Sequence, residues 1–481
     1  MQSEYGFPRQ LENGIDATVP PFVNSYSVKV VPSNLSQVQS STQTLTASST
    51  LQLNGTSSNI IFDIPVNNGP GVFLDPRYSL LTFKVSYEVV NTPSAAIITT
   101  AKLRSSGYAH FDRSYLMSGQ GQILDDVNLV GLVQDTLIQL ETDVAQRDSL
   151  AAMYGFAFDV ATASKNANNG HDIAGIDGTT LAAASSNFYS YAMPLLSSLI
   201  GKGANKFLAI GKLQRLQFVL QTAAILPITF VTSTATTAAT FRCTISDIAL
   251  NLQYVDIGAQ GMAMLKKTGT QFYNGTTYRV SSATLPASTS GSVSLLTGLR
   301  GSSVKAVFTR FSEASTLTTA GCVQGQYDGK MPQATAIAYN VNGVLVPPNP
   351  VDLIHNPALA FALTQEANSS FNTYEFKSGL VPSQYFIYIA GGTLATDADK
   401  LVSLAGSTSS VANQAQFLFG INMEKISQFG LLDGQSFNSG NVFLNMTLAN
   451  VNTNSVTCYF IAKMDIIYVH NYETGELTSR L

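Results

Sequence analysis

Four histidines, three cysteines and the adjacent Asp125 and Asp126 are the residues of this chain whose types invite acid–base, metal or nucleophilic chemistry. His110 stands in GYAHFDRS, two residues before Asp112, which suggests a proton-transfer pair. On a strand, positions i and i+2 share a face, so a polar contact across strands is the expectation. His171 sits in GHD, within the glycine- and Asn-rich stretch Asn166–Gly178, and reads as a solvated loop residue. None of the histidines falls in the HExxH or HxH spacing that a metal site uses. Cys243, Cys322 and Cys458 are far apart and include no CxxC pair, so neither a zinc site nor a disulfide framework is expected, only small buried thiols. Neighbouring side chains on a helix diverge by about 100°, so Asp125 and Asp126 read as negative charge at a helix start rather than as converging carboxylates. Ser118–Leu124 (SGQGQIL) has the glycines of a phosphate loop but lacks its Lys and its Ser/Thr, and reads as a turn. GxSxG and Walker motifs are missing too. No catalytic, cofactor-binding or metal-binding residue is assigned, and no cofactor or enzymatic activity is expected.

The elements around these residues are mostly strands. In Leu81–Val90, Phe83, Val85, Tyr87 and Val89 alternate with polar residues, the period of a strand with one buried face. Phe241–Tyr254 alternates through Cys243 and Ile245, breaks, and resumes at Ile248, Leu250 and Leu252. Further strands are expected in Leu213–Leu226, Arg300–Phe311, Gln384–Ala390, Asn441–Leu448 and Val456–Val469, with edge strands and loops over 33–58. Two segments depart from period two. Between residues 122 and 150, Ile123, Val127, Val130, Val133, Leu137, Leu140 and Val144 recur every three or four positions and predict an amphipathic helix. Pro357–Asn368 predicts a shorter one. NGVLVPPNP (Asn342–Pro350) reads as a proline-rich connection.

The pattern lapses near 256–270 and then begins again. This predicts an all-β chain of two tandem eight-stranded jelly-roll sandwiches with short helical insertions and long loops: an arm over 1–22, a first jelly roll over 23–258, and a second with a C-terminal tail over 259–481. The chain is 481 residues long, and its charged fraction of 12% lies well below the roughly 25% of ordinary soluble domains. Such a surface is expected to be buried in part against neighbouring subunits. The net charge is −4 with no Lys/Arg block, so sequence-specific nucleic-acid binding is not expected. Met1–Pro21 carries Glu4, Arg9, Glu12 and Asp16 and lacks the apolar core of a signal peptide, and no apolar run is long enough to cross a bilayer.

Two ordered segments, VFLDPRYSLLTFKVSYEV (Val72–Val89) and SGYAHFDRSYLMSGQGQILDDV (Ser106–Val127), resemble the first jelly roll of major capsid proteins of polinton-like viruses and virophages. The resemblance continues in Tyr191–Leu220, then in RGSSVKAVFTRF and Tyr339–Asp352 of the second half, and covers roughly residues 60 to 375. It implies a double jelly roll that forms a homotrimer with a pseudo-hexameric outline. It further implies assembly of an icosahedral shell around a DNA genome, with neighbouring capsomers, penton or minor capsid proteins and an internal membrane as candidate partners, and the virion as location. The loops near 165–188, 312–335 and 392–415 would project outward. A β-sandwich spike, fibre or carbohydrate-binding adhesin is the alternative reading of the same composition.

Overall fold

The computed structural model describes residues 33–39, 43–47, 59–142, 150, 153–154, 171–172, 188–256, 269–313, 334–368, 417–424, 434–448 and 455–480, with short breaks inside the longer stretches. In chain order the first half contributes β1 (Ser33–Gln39), β2 (Gln43–Ala47), β3 (Asn59–Ile64), β4 (Val72–Asn91), β5 (Ile98–Leu103), β6 (Phe111–Ser118) and β7 (Ile123–Asn128). Helix α1 (Val130–Glu141) follows, then β8 (His171–Asp172), β9 (Phe188–Pro194), β10 (Leu208–Ala209), β11 (Leu216–Thr222), β12 (Ile228–Thr232) and β13 (Thr240–Asp256). The second half contributes β14 (Thr270–Leu285), β15 (Gly291–Leu296), β16 (Val304–Glu313), β17 (Ala334–Val341) and β18 (Val344–Asp352). Helix α2 (Pro357–Ala367), β19 (Leu418–Asn422), β20 (Val442–Leu448), β21 (Val456–Asn471) and β22 (Glu476–Arg480) complete it.

The two halves repeat one topology. β1 and β2 pair in turn with the two ends of β13 and act as one interrupted strand. Counting them as first, the first half has one sheet of order β1/β2–β13–β4–β9, that is first, eighth, third and sixth. Its second sheet, β3–β11–β6–β7, is second, seventh, fourth and fifth. The second half gives the same two orders, as β14–β21–β16–β19 and β15–β20–β17–β18. Two four-stranded antiparallel sheets wound in this order are a jelly roll. In both halves a helix lies between the fifth and sixth strands. The additions are β10 on β4, β22 on β21, and a small sheet β12–β5–β8.

Alternation builds each core. β3 buries Ile60, Phe62 and Ile64, and β20 buries Val442, Leu444, Met446 and Leu448. Each such side chain is worth about 1.5–3 kcal/mol when removed from water. Phe83 packs edge-on against Phe111 at 5.3 Å and tilted against Tyr191 at 5.1 Å; in the second half Tyr339 stacks on Phe419 at 6.0 Å. The break after Ile245 is a bulge: the register of β13 on β4 shifts between Ser246 and Ala249, and Asp247 takes φ 50°.

Several expectations are corrected. The helical period over 122–150 begins with a strand: Ile123–Asn128 pairs with β6, and the helix spans only Val130–Glu141. Asp125 and Asp126 therefore lie on β7, upstream of any helix start. Asn342–Pro350 includes strand β18, not merely a connection; among the described residues it is an edge strand paired with β17 alone, where prolines lacking an N–H are tolerated. His110 lies in a 3-10 turn (Gly107–His110), buried, with Nδ1 on the Gly107 carbonyl at 2.8 Å and its ring beside Phe83 and Tyr191. His171 belongs to a two-residue strand on β5, not a loop. Ser118–Leu124 does turn, closing the β6–β7 hairpin. The arm over 1–22, the strand expected at Gln384–Ala390, and most of the three long loops lie outside the described residues.

Candidate functional site: the seam between the two sandwiches

The polar side chains that converge do so between the two jelly rolls. Asp125, on β7, is 5% exposed and accepts hydrogen bonds from three donors. Ser198 donates to Oδ2 through both its backbone N–H (2.9 Å) and its hydroxyl, and Thr277 of β14 donates to Oδ1 at 2.6 Å. Ser198 has one hydroxyl proton, committed to Asp125, so the Tyr468 hydroxyl of β21 donates to Ser198 Oγ. Burial, with the Asp125 charge behind it, pushes the Tyr468 phenol well above its ordinary pKa and keeps it a donor.

Backbones meet beside this relay. Thr276 N donates to Gly203 O at 2.9 Å, and Ala204 and Gly275 form an isolated antiparallel bridge. A Cβ on Gly275 would lie 2.1 Å from Ser198 O, and one on Gly203 would lie 2.3 Å from Thr276 O. Only glycine admits that approach.

A second contact is ionic. Arg310 leaves β16 and meets Asp135 of α1, Nη1 to Oδ2 at 2.6 Å, both side chains 2% exposed. The same nitrogen donates to Thr136 Oγ1 at 3.2 Å, and Gln139 donates to Asp135 Oδ2 at 2.9 Å. Asn368, just past α2, donates to the Leu140 carbonyl near the end of α1, where helix carbonyls lack internal partners.

A third contact lies where β14 and β21 run past the core. Tyr273 pairs with Tyr468 and Gln271 with His470 across the ladder. The Tyr273 hydroxyl donates to Gln271 Oε1 at 2.6 Å and accepts from Ala209 N of β10 at 3.3 Å. At the rim, Gln214 donates to the Thr474 carbonyl at 3.1 Å.

The hydroxyls of Ser198 and Thr277, which lie against the Asp125 carboxylate, are both buried with it. Among the described residues no group of three or more His, Cys, Asp or Glu could hold a metal, and no helix is long and apolar enough to cross a membrane. What the seam does is tie the two sandwiches together through hydrogen bonds and an ion pair. Of its residues, sequence reading gave Asp125 a role, as negative charge at a helix start, and the structure makes it instead the shared acceptor of Ser198 and Thr277. Arg310 stood near the end of an expected strand, between Thr309 and Phe311, where the local pattern did not mark it as buried.

No family model matches the sequence, and no curated protein does. Solved structures do match over almost the whole chain. The PBCV-1 virus capsid superposes with TM-score 0.53 at 11% identity, covering 93% of this chain and 97% of that one. The fold is the double jelly roll. The Sputnik virophage structure gives TM-score 0.52 at 11% identity, over 94% of this chain and 88% of that one. The Faustovirus major capsid protein gives 0.50 at 10% identity, over 92% of each chain. At such identities the likeness is one of fold. The double jelly roll of this chain thus arises from the strand orders and extends through both halves, with the seam joining them.

Proposed function

We propose that this chain is a major capsid protein, whose double jelly rolls trimerise into pseudo-hexameric capsomers that build an icosahedral virion shell around DNA. The observation that carries the reading is the duplicated strand order, in a fold shared over nearly its full length with viral capsid structures. The first jelly roll would span 23–258 and the second 259–481.

The unequal covering of equivalent elements supports a closed ring. Every residue of α1 from Val130 to Leu140 is buried, between its own sandwich and the second half. Its counterpart α2 leaves Leu359 40% exposed, with Phe361 and Leu363 half-buried. β7 lies against β14, whereas its counterpart β18 exposes Val344 at its end. One chain thus makes the seam once and leaves the equivalent half-site open. A head-to-tail contact between copies, with the first jelly roll of the next chain on α2 and β18, would repeat it and close a ring of six sandwiches from three chains. The low charged fraction suits walls that meet other subunits. Neighbouring capsomers, penton or minor capsid proteins and an internal membrane are the partners such a capsomer would meet, the 1–22 arm being the segment for those contacts.

Light scattering on the purified chain tests the reading. Three copies of a 51.2-kDa chain, seen as hexagonal particles by electron microscopy, are the expected result. A monomer at concentrations that assemble shells would overturn it.

A further inference from the structure

The overhanging end of β14 and β21 contains a group the seam does not use. His470 is fully buried, and neither ring nitrogen has a hydrogen-bond partner. Directly across the ladder, Gln271 is equally buried; its Oε1 is taken by the Tyr273 hydroxyl and its Nε2 has no partner. Tyr273 lies at 6.4 Å from the imidazole, centroid to centroid, and Tyr472 edge-on at 5.8 Å. Buried polar atoms without partners are uncommon, and three in one cluster at a domain contact call for an explanation in function.

We propose that His470, with Gln271 and the Tyr273–Ala209 bridge, is an acid-operated catch that loosens the two jelly rolls from each other when the imidazole takes up a proton. A protonated imidazole is a donor at both nitrogens and needs acceptors. The acceptor of its cross-strand neighbour is Gln271 Oε1, which the Tyr273 hydroxyl occupies. Competition for that oxygen displaces Tyr273, whose hydroxyl also holds Ala209 N of the first sandwich. The charge further favours hydration of a site that is buried while the seam is closed.

The groups around it do not offset that charge. From β14 come Gln271 and Tyr273; from β21 itself comes Tyr468, and from the turn after it Tyr472; from β22 the ladder partner is Leu477. Both Tyr273 and Tyr472 are held neutral by burial, which raises their pKa. On the first-sandwich side Asp125, whose charge bears on Tyr468, is engaged by Ser198 and Thr277. Arg279 on β14 bears on Tyr468. Burial alone sets the His470 pKa, lowered from 6.5 to about 4. The sign follows: above pH 6.5 the catch is indifferent to pH. As pH falls toward 4 the open or unfolded chain binds a proton that the closed chain does not, so closure weakens, levelling off below about 4.

The inference concerns the single chain and is independent of shell formation. Its test is hydrogen exchange by mass spectrometry on the full-length wild type, His470→Phe and His470→Gln between pH 7 and 4, corrected for intrinsic exchange. Peptides covering 204–212 report the seam and peptides covering β20 report the core. In wild type the seam is expected to open about 100-fold more readily across that window, the ratio set by the pKa difference, while the core stays protected. Both variants should lack the seam's added pH dependence. A seam profile identical in wild type and the variants would overturn the proposal, as would core and seam opening together. Light scattering at neutral pH, where the catch is closed, reads capsomer formation separately.

Discussion

Replacing Arg310 by Met should destabilise the chain by about 3–5 kcal/mol, because Asp135 would then keep a buried charge that has lost its cation. The ion pair is 2.6 Å long with each side chain 2% exposed, so water screens neither partner. Asp135→Leu should cost a similar amount, since Arg310 would retain Thr136 Oγ1, a neutral acceptor, on that nitrogen. The double variant, Arg310→Met with Asp135→Leu, removes both charges and leaves apolar groups of comparable bulk. It is expected within about 1 kcal/mol of wild type or above it, as buried pairs often do little better than apolar replacements. The two losses should therefore fail to add, with a coupling of about 3 kcal/mol or more. Urea unfolding at pH 7 reads all four proteins through midpoint shifts at constant slope. If Arg310→Met alone moved stability by less than about 1 kcal/mol, or if the two losses summed in the double variant, the claim that a dry ion pair ties α1 to β16 would be refuted.

Other parts of the seam and surface give further outcomes. Gly275→Ala puts a Cβ 2.1 Å from Ser198 O and should cost about 3 kcal/mol, the upper end for overpacking, measurable as a lowered thermal midpoint. Tyr468→Phe removes only the donor to Ser198 and should cost about 1 kcal/mol in the same assay, since Ser198 keeps its bond to Asp125. Leu359→Glu on the open face of α2 should leave monomer stability within about 0.5 kcal/mol yet abolish trimers in light scattering. Arg215→Ala is the control: its pair with Asp63 is more than half exposed on both sides, so a loss above about 1 kcal/mol would be unexpected.

Both jelly rolls were legible in the sequence because period two survives wherever one sheet face is buried, as in Leu81–Val85 and Val442–Leu448. Even the bulge at Asp247 showed as a lapse in alternation. The β7–α1 junction was not legible, because Ile123 and Val127 are spaced as a helix would space them. β7 follows a tight hairpin turn and is committed to β6 by pairing, a tertiary fact that local period cannot report. The seam was hidden for a similar reason. Asp125, Ser198, Thr277 and Tyr468 come from four separate segments, and each looks like an ordinary polar residue until the two sandwiches meet.

The seam's polarity also bears on how two similar sandwiches choose their contacts. α1 and α2 can be aligned on Thr136 and Thr364, whose hydroxyls both donate at 2.8 Å to the carbonyl four residues earlier. That alignment places Leu363 of α2 where α1 has Asp135. A second sandwich docking on the α2 of another chain would bring Arg310 against leucine and bury its charge without a carboxylate. Within its own chain the same arginine finds Asp135. The cost of an unpaired buried charge, several kcal/mol, discriminates between the two helices far more sharply than apolar area, which both offer. The ion pair therefore favours the contact within the chain, while the apolar face of Leu359 and Leu363 suits a surface that brings no charge. In the proposed capsomer, that difference keeps sandwiches alternating first and second around the ring.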